Sequence, residues 1–293
     1  MVAKATGAPG SPLAPLLYLL TGLMPFGVGT LLAGVSGLPL RPEVWGAGFL
    51  AGAALILAAF ASRQTFGLEA GRCPAWRGLS PKGAGRLAFS SLALAALLGL
   101  ILQFGWRTGD LTIPLGGLGV LGGYFYFAPP LQWHRRGWGE AVGALTFGLL
   151  PVVTGLYLQT GHLVSEALLY GLPLSFTAFN LFLIHGFPDP QGEAQPERHS
   201  LAQRLGPVAG ALIYTICNVL TIVALVFCLF FPASALPFRA GLWPLLLLAV
   251  VNQELIKRKF YREETRLQLL CRLTLALHLG MGLMFSLMLW QRL

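Results

Sequence analysis

Apolar runs of about 20 residues, broken by short polar stretches, occupy almost the whole chain. At roughly 20 residues per crossing, they predict nine transmembrane helices over 13–34, 44–62, 87–105, 111–128, 139–159, 164–187, 207–231, 237–254 and 269–290. The fold class is therefore all-α, a polytopic membrane protein. No hydrophilic segment is longer than a loop, so one membrane domain is expected over 1–293. The first run follows a segment bearing only Lys4, but it is too long for the apolar part of a cleavable signal and is taken as the first true helix.

Composition agrees with the pattern. Only 11% of residues are charged and 55% are hydrophobic, against about 25% charged in a soluble domain. Charge placement then gives an orientation. With the N-terminus inside, the inner loops hold sixteen Lys and Arg residues and the outer loops four: Arg41, Arg107, Arg239 and Arg292. That bias puts the large loops in the cytoplasm and the C-terminus outside, in the cell membrane. Anionic inner-leaflet headgroups favour the same residues, so the net charge of +9 implies membrane lipid and no nucleic acid as partner. Tryptophans mark both interfaces, with Trp76, Trp133 and Trp138 inside and Trp45, Trp106, Trp243 and Trp290 outside. Cys73, Cys217, Cys228 and Cys271 have no metal or CxxC spacing and are expected to be buried thiols.

Candidate chemistry lies in the inner loops. From Asn180 to Gly206 the chain reads NLFLIHGFPDPQGEAQPERHSLAQRLG, with Asp189 and Glu193 four residues apart, then Arg198 and Arg204. On a helical backbone the two carboxylates share a face and can hold one divalent ion; the arginines suit a phosphate. The plainer alternative is a polar loop in which Asp189 caps a helix beginning at Pro190. The loop after the second helix, RQTFGLEAGRCPAWRGLSPKGAGR, carries five basic residues and one acid, Glu69. It is either a topology determinant or the rim of a diphosphate site. The loop PPLQWHRRGWGE sets His134, Arg135 and Arg136 at headgroup depth, just after Tyr124 and Tyr126. Mixed charges in QELIKRKFYREETRLQ suggest i,i+4 pairing on a solvated surface helix. His278, inside the last apolar run, is expected to be hydrogen-bonded to a neighbour.

These loops resemble those of the UbiA superfamily of membrane prenyltransferases. The opening stretch is similar to the family's second motif, DxxxDxxxGKxTLxxRLG. Asp189 matches its first aspartate, Glu193 its second, Arg198 its lysine and Ser200 its threonine; Leu201, Arg204, Leu205 and Gly206 match its close, and Glu197 replaces a glycine. The segment from Tyr126 to Glu140 resembles YxxPPLRLKYRGLGE: Pro129, Pro130, Leu131, Arg136, Gly137 and Gly139 agree, while Gln132 and His134 replace an arginine and a lysine. GLYLQTG, closing the fifth helix, is similar to the dihydroxynaphthoate polyprenyltransferase branch, which serves menaquinone synthesis. The family's first motif, NDxxDxxxD, is lacking. Gln64, Gly67 and Gly71 or Cys73 stand where its metal-binding acids belong.

The resemblance implies an inward-facing active site that moves a polyprenyl group from its diphosphate to an aromatic acceptor with the help of Mg2+. Asp189 and Glu193 would be catalytic as metal ligands. Arg72, Arg77, His134, Arg136, Arg198 and Arg204 would hold the diphosphate, and Gln64, Tyr124, Tyr126 and Asn180 would line the pocket. Loss of the first motif supports a second reading: a catalytically silent relative that binds an isoprenoid lipid or diphosphate, or supports a partner. The sequence gives no oligomeric state.

Overall fold

The computed structural model describes residues 13–66, 80–188, 200–230 and 239–293. Among these every regular element is helical. The long helices are α1 (Leu13–Val35), α2 (Pro42–Phe66), α3 (Pro81–Gly105), α4 (Thr112–Gly123), α5 (Gly139–Thr160), α6 (Glu166–His185), α7 (Pro207–Phe230), α8 (Leu242–Lys257) and α9 (Glu264–Trp290). Seven of the helices in the described residues are long and apolar enough to cross a membrane. The expected fourth and eighth spans coincide with α4, of 12 residues, and α8, of 16. Near 1.5 Å of rise per residue, both fall short of a full bilayer crossing. α4 ends where glycines give way to the turn Tyr124–Tyr126, and Lys259, at φ 60°, breaks the chain after α8.

α3 starts six residues earlier than its hydropathy predicts. Ser80 caps it, its Oγ accepting from Gly83 N at 3.1 Å, and Pro81 fills the first helical position. A proline there lacks only an N–H that would have had no helical partner. Lys82 and Arg86 thus lie inside the helix, on its polar first turns.

α1, α5, α6 and α9 form the centre of the bundle. Two-thirds of the apolar window of α6 is buried (67%), against 22% for α3 at the periphery. α1 packs along α5 on one side and α9 on the other, while α2–α4 and α7–α8 complete the two flanks. The α1–α5 crossing depends on glycine. A methyl group on Gly29 would run into the Val152 carbonyl, and one on Gly155 into the Phe26 carbonyl. In lipid there is little hydrophobic gain in pairing helices, so such close backbone contact carries the association.

His278 ties α9 to α1 and α6. Pro25 has no N–H, so the Thr21 carbonyl one turn earlier lacks its helical donor. His278 Nε2 donates to that carbonyl at 3.2 Å, and Nδ1 lies 2.9 Å from Thr177 Oγ1. A carbonyl can only accept, which places the ring proton on Nε2 and makes Nδ1 an acceptor for the threonine hydroxyl. The expected neighbour bond of this intramembrane histidine is present.

The surface helix expected across the last inner loop is instead a break: α8 ends, a short turn covers Phe260–Arg262, and α9 begins at Glu264. The charge pairing is there, with Arg258 to Glu254 at 2.9 Å and Arg266 to Glu263 at 2.8 Å. Cys228 and Cys271 are buried thiols and Cys217 is half-buried; Cys73 lies outside the described residues.

Candidate active site at the inner end of the bundle

An apolar cavity of about 410 Å3 runs between α1, α2, α3, α4 and α5. Such a volume is within the range of small-molecule sites, roughly 300–1,000 Å3. Small residues make the room: Gly48, Gly52, Ala95, Gly99, Gly116 and Gly119 stand on its walls between leucines and isoleucines. It extends from Thr112 and Leu158 at one end to Ala59, Gly123 and Phe147 near the other, the end expected to face inward.

A cluster of rings adjoins that inner end. Tyr18 lies 5.3 Å from Phe147 and 5.6 Å from Phe60, Phe147 is 5.4 Å from Phe182, and Phe182 is 5.7 Å from Tyr126. Phe147 belongs both to the cluster and to the cavity wall. Its position follows from a π-helical turn over Leu145–Leu149 in α5. The Leu149 N–H donates to Ser175 Oγ of α6 at 2.8 Å, and Gly148 gives the serine the space to approach. Single π turns of this kind often re-aim side chains at functional sites.

Above the rings, the segment 127–138 folds tightly on itself. His134 Nδ1 donates to the Tyr126 carbonyl at 2.7 Å, Arg136 Nη2 to the Pro130 carbonyl at 3.0 Å and Trp133 Nε1 to the Leu121 carbonyl at 2.9 Å. The His134 ring stacks near Tyr126, 6.2 Å between centroids. Ser62 Oγ lies 3.2 Å from the Tyr124 carbonyl, holding the inner end of α2 to the same turn. A short helix, Leu201–Leu205, brings Arg204 over this segment, where its Nη2 donates to the Arg135 carbonyl at 3.3 Å.

Of the expected site residues, Tyr124, Tyr126, His134, Arg136 and Arg204 therefore come together at one end of the bundle. Gln64 is buried near the C-terminal end of α2, and Asn180 is buried on α6, its Oδ1 without a hydrogen-bond partner among the described residues. None of Gln64, Tyr124, Tyr126 and Asn180 is on the cavity wall. Tyr126 relates to the cavity through Phe182 and Phe147. Arg72, Arg77, Asp189, Glu193 and Arg198 lie outside the described residues. Among the described residues no three of His, Cys, Asp and Glu gather into a cation site. Asp189 and Glu193, the carboxylates expected from the sequence to hold magnesium, are not among those residues.

Sequence reading missed Tyr18, Phe147 and Phe182 as site residues. They come from three different helices and sit in ordinary apolar contexts, so no local spacing marks them.

A helical membrane bundle with an apolar interior chamber and one cationic, ring-lined end is the class these features define. Residues 22–279 match the model of the UbiA prenyltransferase family, and the chain belongs to that family. Over 128 residues it is 30% identical to the 2-carboxy-1,4-naphthoquinone phytyltransferase of Synechocystis sp., a match spanning 42% of this chain and 40% of that protein. The fold is similar to the apo structure of a UbiA homolog from Aeropyrum pernix K1, with TM-score 0.66 and 15% identity over 92% of this chain and 98% of that one. It is also similar to a UbiA homolog from Archaeoglobus fulgidus bound to GPP and Mg2+, with TM-score 0.57 and 16% identity over 94% and 99% of the two chains.

Proposed function

We propose that this protein is a membrane prenyltransferase that moves a polyprenyl group from its diphosphate to an aromatic quinone precursor of the menaquinone type. The observation that carries the reading is the apolar chamber meeting a ring cluster beneath a cationic loop. A prenyl tail already dissolved in the bilayer gains little from moving into an apolar chamber. Affinity then resides in the headgroup contacts, and the chamber serves to orient and measure the tail.

The chemistry follows from that division. The C–O bond to the diphosphate breaks and leaves an allylic cation; an electron-rich ring carbon of the acceptor attacks it, forming a C–C bond, and the ring proton is lost. Charge grows on the departing diphosphate, which Arg204, Arg136 and His134 would meet, with Arg72, Arg77 and Arg198 the further cations expected from the sequence. The faces of Tyr126, Phe182, Phe147 and Tyr18 suit the cation, at roughly 0.5–2 kcal/mol per well-placed ring. Magnesium, held by Asp189 and Glu193, would supply further positive charge to the leaving group. The bias of Lys and Arg supports a site facing the cytoplasm from the cell membrane.

The relative from Synechocystis supports a naphthoquinone-type acceptor for this chain. The replacement of the first acidic motif by RQTFGLEAGRC favours the second reading, a relative that binds prenyl diphosphate without turning it over. A transfer assay decides between them. Purified protein is incubated in detergent with labelled long-chain prenyl diphosphate and dihydroxynaphthoate, with and without Mg2+. The expected result is Mg2+-dependent product, reduced at least ~100-fold by Asp189→Ala, on the scale of losing a charge-stabilising group. Retained diphosphate binding with no product would establish the silent relative.

A further inference from the structure

Glu140 joins two parts of the inner rim that are 61 residues apart in sequence. The residue is 4% exposed, and its Oε1 accepts from the Leu201 N–H at 2.8 Å. Leu201 opens the short helix that ends in Arg204 and Leu205. Arg204 lies across Gly137, which has φ 78°; a methyl group there would come within 2.7 Å of Arg204 Nη1. The neighbouring Ser200 fixes the same turn from the α6 side, its Oγ donating to the Gly186 carbonyl at 2.6 Å and accepting from Gln203 N at 3.2 Å.

A carboxylate is an unexpected residue to bury beside an anion site. By Coulomb's law its charge opposes a diphosphate nearby, so attraction to substrate does not explain it. The bond to Leu201 does. An amide shielded from water and left without an acceptor is costly, this one is part-buried, and a charged acceptor makes the stronger bond.

We infer that Glu140 is a positioning residue: it locks the Leu201–Leu205 turn against the 127–138 segment so that Arg204 and the loop cations form one fixed diphosphate-binding surface. This inference rests on the diphosphate reading of the rim. It also predicts that two substitutions at this position behave differently. Glu140→Gln keeps an acceptor oxygen and removes the repelling charge, whereas Glu140→Ala removes the charge and the bond together. If only charge matters, both variants bind diphosphate more tightly than the parent. If position matters, the alanine variant binds it more weakly in spite of its more positive rim.

The test measures geranylgeranyl diphosphate affinity by calorimetry and transfer kinetics in parent, Glu140→Gln and Glu140→Ala proteins, with amide hydrogen exchange over 201–205. Expected for the alanine variant are a Kd and a donor KM raised roughly tenfold, the scale of a lost charged hydrogen bond, an unchanged acceptor KM at saturating donor, and faster exchange at 201–205 with α6 and α7 unaltered. The glutamine variant should match the parent or bind more tightly. An alanine variant that binds as well as the parent overturns the inference, as does a glutamine variant as weak as the alanine one. A parent protein that binds no prenyl diphosphate overturns the diphosphate reading instead, and exchange at 201–205 still decides whether Glu140 holds the turn.

Discussion

His278 and Glu140 carry polar groups in low-dielectric surroundings, and each is accounted for by a backbone group that lacks a partner in its own helix. For His278 that group is the Thr21 carbonyl freed by Pro25, with Thr177 completing the ring's bonds. Interhelical hydrogen bonds in membranes contribute about 0.6 kcal/mol on average and up to about 1.7. His278→Ala is therefore expected to lower stability by about 1–2 kcal/mol in detergent unfolding, with transfer activity retained at temperatures where the variant is folded. A change near zero would mean that these bonds are made equally well in the unfolded chain. At this scale the sequence was partly legible. The histidine's neighbour bond follows from its apolar setting, but its partner could not be read, because the proline that frees the carbonyl is over 250 residues away. The ring cluster was not legible at all: Tyr18, Phe147 and Phe182 meet only once three helices are packed. The basic and aromatic residues of the 126–140 segment were legible as a motif, since one continuous stretch of chain carries them.

Helices were the most legible elements, because a bilayer imposes their length and apolarity. The errors fell where local chemistry outweighs hydropathy. Ser80 and Pro81 start α3 ahead of its apolar run, a cap signal present in the sequence, and Lys259 ends α8 through a left-handed backbone that hydropathy does not register. Which helix a glycine lets approach could not be read, because Gly29 and Gly155 meet only once α1 and α5 cross. The α1–α5 crossing gives a direct expectation for this scale. Gly155→Val places two methyl groups against the Phe26 carbonyl and should destabilise the fold by about 1–3 kcal/mol or more, the scale of overpacking. It is checked by thermal unfolding in detergent, beside Gly46→Val, where an added side chain meets open space and should cost little.

Across the whole molecule, the two flanks of the bundle differ in kind. The α2–α4 flank encloses the apolar chamber with α1 and α5, while the α7–α8 flank closes on the centre through two apolar clusters, one with Leu225 and Met281 and the other with Tyr214 and Ile256. The chamber was outside the reach of sequence reading, because small residues signal space only when one knows what faces them. The central claim is that a prenyl tail occupies this chamber with its diphosphate at the inner rim. The measurement that tests it most directly is photolabelling with a prenyl diphosphate bearing a diazirine at the far end of its tail, followed by mapping of the labelled residues by mass spectrometry. The expected result is label on the chamber walls of α3 and α4, around Ala95, Gly99 and Gly116, suppressed by excess unlabelled prenyl diphosphate. Label confined to lipid-facing positions such as Leu212 and Val223 of α7, and insensitive to competitor, would contradict the account.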